Sequence, residues 1–156
     1  MQALASFGGV RGRLTLRGDR AGVRVIDSFA HHPVEIRADI EAARVIAGDA
    51  GQVMAVYQPR GYGRTLAYAA PMAAELAAAD LVVLLDIHAG AWEPDPGVTS
   101  QLIANAGAGQ VASPGDAVSL VTEAACPGDV VLVMGSGSLA EQVCAALGGV
   151  LQAASS

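Results

Sequence analysis

Two apolar runs constrain the fold of this chain most strongly. Residues 80–88 read DLVVLLDIH and residues 129–137 read DVVLVMGSG, and five consecutive positions in each are apolar. A half-exposed strand alternates apolar with polar residues, whereas a strand that is buried on both faces of a parallel sheet is apolar throughout. Both runs are far too short to cross a bilayer. They therefore predict central strands of a parallel sheet.

Segments with helical spacing alternate with strands along the rest of the chain. After Pro33, apolar residues at Val34, Ile36 and Ile40 predict a helix that runs to Arg44. Pro71 interrupts an alanine-rich helical segment, so a kink or a late start is expected there. Residues 12–29 read as a hairpin whose turn begins at Gly18-Asp19. The remaining predicted strands are 52–59 and 109–113, and the remaining predicted helices are 65–80, 98–107, 114–126 and 138–149.

This alternation predicts one α/β domain that spans residues 1–156. We expect a Rossmann-like, open and mostly parallel sheet with helices on both faces. The first hairpin would add an antiparallel strand at one edge of that sheet. In such folds, ligands bind beyond the carboxyl ends of the strands.

The charged residues exclude several classes of function. The chain has a formal net charge of −6, and its nine basic residues are all arginine. A chain without lysine has no P-loop lysine, no Schiff-base lysine and no lysine general base. The acidic balance argues against a nucleic-acid partner. No signal peptide or membrane segment is visible, so we expect a cytoplasmic location and no membrane partner.

Four stretches with unusual residues fall at the predicted carboxyl ends of strands. They are DSFAHHP (27–33), YQPRGYGR (57–64), LDIHAGAWEPD (84–95) and MGSGS (134–138). Because parallel strands share a direction, these stretches would meet along one edge of the sheet. Their shared position predicts a ligand-binding site at that edge.

The first two stretches allow a functional and a purely structural interpretation each. Adjacent His31 and His32 would point apart, so one metal ion would not be held by both, and we expect no metal site there. Pro33 suits the first position of a helix, and Glu35 suits its positive end, so the histidines could simply precede a capped helix. Arg60 and Arg64 could bind a carboxylate or a phosphate, aided by the amides of the following helix. A solvated basic turn is the alternative.

The last two stretches carry weaker signals. The MGSGS turn could cradle a phosphate with its amides, but tight-turn geometry alone would also explain it. Asp86 and His88 could orient a ligand or a metal-bound water, or could simply bond to neighbouring loops. Trp92 is interpreted as a loop anchor without a chemical role.

Taken together, four segments resemble the C-terminal domain of the Mur ligases in order and spacing. They are residues 29–44, 54–65, 79–98 and 128–138, and the resemblance extends over about residues 7–148. It is strongest to the family members that join an amino acid to UDP-N-acetylmuramate. The resemblance implies a module that closes over a central ATPase domain of the same polypeptide. ATP and Mg²⁺ would serve that ligase, and both would need the central domain, which this chain lacks. No catalytic residue is therefore expected in this chain alone.

The resemblance also implies roles for individual residues. The residues expected to contact the amino-acid or the UDP-N-acetylmuramate-type substrate are His31, His32, Arg60, Tyr62 and Arg64. Arg64 matches a basic residue expected near the carboxylate of the incoming amino acid. The residues expected to contact the nucleotide are Asp27, Ser28 and Asp86. Ser28 stands where the family usually has a second acid beside the ATP ribose, and Gly61 stands where it usually has a second basic residue.

Three hypotheses about function follow. The first is the C-terminal domain of an ATP-dependent amide ligase of peptidoglycan precursor synthesis. The second is a free-standing, non-catalytic binding module related to that domain. The third is a nucleotide-binding fold of unrelated function, although the chain lacks the dinucleotide fingerprint.

Overall fold

A six-stranded sheet forms the centre of the protein in a computed structural model, which describes residues 13–91, 93–135 and 137–154. The strand order is β1-β2-β6-β3-β4-β5. β1 is antiparallel to β2, and all the other neighbouring pairs are parallel. The strands are β1 (Thr15–Arg20), β2 (Val23–Ser28), β3 (Val53–Tyr57), β4 (Leu81–Leu84), β5 (Gln110–Val111) and β6 (Val130–Met134). The predicted mostly parallel sheet with an antiparallel edge strand is therefore confirmed.

Helices cover both faces of this sheet, as predicted. They are α1 (Pro33–Ala47), α2 (Tyr62–Leu76), α3 (Gln101–Asn105), α4 (Pro114–Ala124) and α5 (Leu139–Ala154). Alternate residues of β3 and β6 contribute to two separate apolar clusters, one on each face. The first cluster includes residues of α1, α2 and α3, and the second includes residues of α4 and α5. Every residue of β3 and β6 is buried, which explains why these strands tolerate no polar position.

The hairpin turn lies three residues later than predicted. Ala21 and Gly22 both have positive φ, at 59° and 77°, and they form the two-residue turn between β1 and β2. Gly18 instead lies inside β1, at an irregularity in its register with β2. A Cβ atom on Gly18 would come within 3.1 Å of Cys144 Sγ. The glycine therefore allows α5 to pack closely against β1 and does not mark a turn.

Two other predicted boundaries were also wrong. α2 begins at Tyr62 and continues through Pro71 to Leu76. Pro71 and Ala67 are both exposed, so water can reach the carbonyl that the proline leaves without an amide partner. β4 ends at Leu84, and beyond it His88 forms only an isolated parallel bridge with Arg60.

Among the helices of the described residues, none combines the length and the apolar character that a membrane crossing requires.

Candidate functional site

The carboxyl ends of the strands are joined by backbone hydrogen bonds into one continuous edge. The Gly135 amide donates to the Ser28 carbonyl at 2.9 Å, and the Gln58 amide donates to the Met134 carbonyl at 2.9 Å. Farther along, the His88 amide donates to the Pro59 carbonyl at 2.8 Å. The segments after β2, β3, β4 and β6 therefore lie side by side, as the sequence predicted.

His32 and Glu35 begin α1 together. The Val34 amide donates to His32 Nδ1 at 3.4 Å, and Glu35 Oε2 accepts from the amides of His31 and His32, each at 3.2 Å. These reciprocal bonds form a capping box behind Pro33, which confirms the predicted helix start. Burial would raise the pKa of the Glu35 carboxyl, but the two backbone amides and the charge of His31 lower it overall.

His31 points to a different neighbour from His32. Its ring meets the ring of Phe29 edge-on at 4.8 Å, whereas the ring of His32 lies 5.1 Å from that of Tyr68. His31 Nδ1 is buried and has no hydrogen-bond partner in the described part of the chain. Burial lowers the pKa of His31, and the positive charges of Arg64 and Arg60 lower it further. The imidazole is therefore held in its neutral form at neutral pH.

Arg60 and Arg64 provide positive charge at this edge of the sheet. Neither forms an ion pair with any carboxylate of the described residues. The Arg60 guanidinium lies over the Phe29 ring at 5.0 Å from its centre, and the ring is 51% exposed. The pair of arginines can therefore receive an anion from solvent beside a partly apolar platform. Phe29 was not among the predicted site residues, although its place directly before Ala30 and the two histidines was a usable signal.

Tyr62 and Asp86 share a small cavity at the same edge. The cavity has a volume of about 240 Å³, and its other lining residues include Asp95 and Thr99. Asp86 is exposed, and its carbonyl accepts from Gln58 Nε2 at 3.2 Å. A phenol and a carboxylate from two different connections are thus brought together.

The predicted nucleotide residues Asp27 and Ser28 lie on opposite faces of the sheet. Asp27 is buried and accepts from Arg17 Nε at 3.0 Å and from Arg17 Nη2 at 2.5 Å. Ser28 Oγ, on the other face, donates to the Asp39 carboxylate. Burial raises the pKa of Asp39, and the bond from Ser28 partly offsets this effect. Of the three predicted nucleotide residues, Asp86 alone is exposed to solvent, so it could meet a ribose hydroxyl without first losing a partner.

One of the amide donors predicted at the start of α2 already has a protein partner. The Gly63 amide donates to Glu93 Oε1 at 2.8 Å. Glu93 comes from the connection after β4, and no sequence signal near α2 pointed to it. Of the other predicted features, Ser136 in the glycine-rich turn and Trp92 lie outside the described residues.

Metal-binding side chains do not cluster in the part of the chain that the structure describes. No group of three or more His, Cys, Asp or Glu residues comes together there as an ion would require.

Comparisons with known proteins show the family to which this domain belongs. The family model described as "Mur ligase, glutamate ligase domain" matches residues 12–137. The chain is 46% identical over 145 residues to the UDP-N-acetylmuramate–L-alanine ligase of Streptomyces avermitilis. The aligned region covers 89% of this chain and 31% of that relative. With the corresponding ligase of Saccharopolyspora erythraea, it is 44% identical over 149 residues, and it covers 29% of that relative.

A solved structure has the same arrangement of strands and helices. The murein peptide ligase from Psychrobacter arcticus matches with a TM-score of 0.73 and 25% identity, over 94% of this chain and 32% of that one. The chain thus spans about a third of the length of the proteins that it resembles. Its sequence and its fold agree on one assignment: this chain belongs to the Mur ligase family and matches the C-terminal domain of those ligases.

Proposed function

We propose that this chain is the amino-acid-binding C-terminal domain of an ATP-dependent ligase that acts on UDP-N-acetylmuramate. One observation carries the proposal: Arg60 and Arg64 lie without an ionic partner among the described residues, at the edge of the sheet where ligands bind. A free amino acid presents a carboxylate, which a guanidinium can bind through two parallel hydrogen bonds. The identity to ligases of this specificity supports the same conclusion.

The other residues of the edge suit the same substrate. A neutral His31 adds no third positive charge beside the two guanidinium groups, so it does not add to the repulsion of the substrate's amino group. Phe29 offers an apolar surface for a small side chain. Tyr62 and His32 lie on the two helix starts that border this surface and complete the proposed substrate-binding set.

The remaining parts of the proposed reaction would come from outside this chain. A central ATPase domain in the same polypeptide would hold ATP, Mg²⁺ and most of the UDP-N-acetylmuramate-type substrate, and ATP would supply the activation of the substrate carboxylate. Asp86 would contact the nucleotide from this side. Asp27 would support Ser28 and β2 through its bond to Arg17. We place the whole ligase in the cytoplasm, and residues 1–156 would form one domain that is inactive on its own.

The free-standing binding module has less support than the ligase domain. The two relatives at 44% and 46% identity both carry the name of a ligase, and this chain covers about 30% of each. No structural observation singles out a binding partner for a separate module.

The first test is the substitution Arg64→Ala in the complete ligase that carries this domain. Loss of a charged hydrogen bond to the substrate should raise the amino-acid KM by about 10-fold to 100-fold. The KM values for ATP and for UDP-N-acetylmuramate should change by less than about twofold. Arg37→Ala is a matched control, since Arg37 pairs with Glu75 on the outer surface of α1 and α2. An unchanged amino-acid KM in Arg64→Ala would contradict the proposal.

A further inference from the structure

α2 lacks a cap from its own sequence. Its N-cap position is Gly61, which has no side chain to accept a hydrogen bond, and its first turn contains no acidic residue. By contrast, α1 is capped by His32 and α4 by Ser113. A helix start without a cap leaves backbone amides without partners and its positive end without a counter-charge.

Glu93, from another part of the chain, supplies both a hydrogen-bond acceptor and a negative charge at the start of α2. Its Oε1 atom accepts from the Gly63 amide at 2.8 Å, across 30 positions of sequence. Glu93 is half-buried, and its own amide donates to the Gly90 carbonyl at 3.0 Å, which closes a turn below it. The carboxylate is thus held against the first turn of α2 by a short turn of the connection after β4.

The backbone at Gly61 is fitted to this carboxylate. Gly61 has a φ of 81°, and a Cβ atom there would lie 3.2 Å from Glu93 Oε2. A side chain at residue 61 would therefore crowd Glu93 as well as strain the backbone. The Gly61 amide also donates to the His88 carbonyl at 3.1 Å. The connection after β4 therefore binds the amides of both Gly61 and Gly63 at the start of α2.

The Glu93 contact lies at the residue directly before Arg64. Tyr62, Gly63 and Arg64 are consecutive in the first turn of α2, and Gly63 is the one whose amide is bound. Glu93 forms no ion pair with either Arg60 or Arg64 among the described residues. Its charge therefore acts on the helix start and leaves the guanidinium groups free.

We propose that Glu93 is a positioning residue that fixes the first turn of α2 and, through it, the guanidinium of Arg64. Because Glu93 occupies the Gly63 amide, that amide is not available to a substrate carboxylate. This inference rests on the proposed function, since it assigns Glu93 to the amino-acid site of the ligase.

The contact itself can be tested in this chain by amide hydrogen exchange at Gly63. Glu93→Ala should speed exchange at Gly63 by about fivefold or more, the scale of a lost helix cap. Glu93→Gln keeps a neutral acceptor and should give an intermediate rate. Glu75→Ala removes an acid from the same helix far from this turn, and it should leave Gly63 unchanged. Unaltered exchange in Glu93→Ala would overturn the inference.

The positioning role is tested in the complete ligase. Glu93→Ala should raise the amino-acid KM by about threefold to tenfold and leave the KM for ATP within about twofold, with Glu93→Gln in between. In an Arg64→Ala background, Glu93→Ala should have no further effect, because the two residues act through one contact. Additive effects, or an unchanged KM despite faster exchange at Gly63, would overturn the inference. If Arg64→Ala alone leaves the KM unchanged, the proposed function has failed, and the exchange rates still report separately on the Glu93 contact.

Discussion

The two ends of the sheet differ in what their arginines bind. At the amino end, Asp129 lies directly before β6 and accepts from the amides of Gln52 and Cys126, each at 2.8 Å. At the carboxyl end, Arg60 and Arg64 form no ion pair with the described residues. Carboxylates bind backbone amides at both ends, but the arginines differ: Arg44 at the amino end is bound to Asp80, whereas Arg60 and Arg64 have no ionic partner among the described residues.

Asp80 shows the same pattern as Asp129 at the amino end. It lies directly before β4, and its Oδ2 atom accepts from the Val53 amide at 2.7 Å and from Arg44 Nη1 at 2.6 Å. Arg44 Nη2 also donates to the Ala78 carbonyl at 2.9 Å. The comparison shows that Asp80, Asp129 and Arg44 bind the protein's own groups at the amino end, whereas the arginines proposed to bind a ligand at the carboxyl end have no ionic partner among the described residues.

The largest expected effect on stability is at the amino end. Asp129 is 5% exposed, so Asp129→Ala leaves two backbone amides without their acceptor. We expect the free energy of unfolding to fall by about 2–4 kcal/mol, measured by urea denaturation. Asp129→Asn keeps one acceptor oxygen and should cost less. A loss below about 0.5 kcal/mol in the alanine variant would break the distinction between the two ends.

A smaller effect on stability, its dependence on pH near neutrality, should come from the carboxyl end. The pKa of His31 at the carboxyl end is lowered by burial and by Arg64, so the unfolded chain binds a proton more readily than the folded one. Stability should therefore decline as the pH falls below about 6.5, the ordinary value for histidine. His31→Gln should reduce this decline between pH 7.5 and pH 5.5 in urea titrations. An identical decline in the variant would contradict the assignment.

The contribution of the amino end to stability should change with pH only in the acid range. The hydrogen bond from Arg44 lowers the pKa of Asp80, with burial opposing and the Val53 amide adding to the effect. The contribution of a carboxyl with a lowered pKa is present above its ordinary value near 4 and is lost as the pH falls through the lower folded value. Arg44→Ala should therefore change the slope of stability with pH in the acid range and leave the slope near pH 6.5 unchanged.

Local patterns in the sequence predicted much of this structure. The apolar runs before Asp86 and Gly135 are buried strands, because a strand covered on both faces requires apolar residues at each position. The helix start at Pro33 with Glu35 was also correct, since its capping bonds join residues within four positions.

Features that depend on distant residues were not visible in the sequence. The cap from Glu93 joins segments that meet only after β3 and β4 have paired. The bond between Arg17 and Asp27 depends on the hairpin register, which was misplaced because Gly18-Asp19 resembles a turn. Strand alternation places Asp27 and Ser28, which are consecutive in β2, on opposite faces of the sheet.

The central claim is that Arg60 and Arg64 at the carboxyl end serve binding, whereas Arg44 at the amino end serves folding. Measuring urea stability and the amino-acid KM for both Arg64→Ala and Arg44→Ala in the complete ligase tests it most directly. Arg44→Ala should lower stability by about 0.5–1 kcal/mol, a value kept small by the exposure of its ion pair, and should leave the KM within about twofold. Arg64→Ala should raise the KM by about 10-fold or more and change stability by less than about 0.5 kcal/mol. Equal effects of the two variants on the KM would contradict the account.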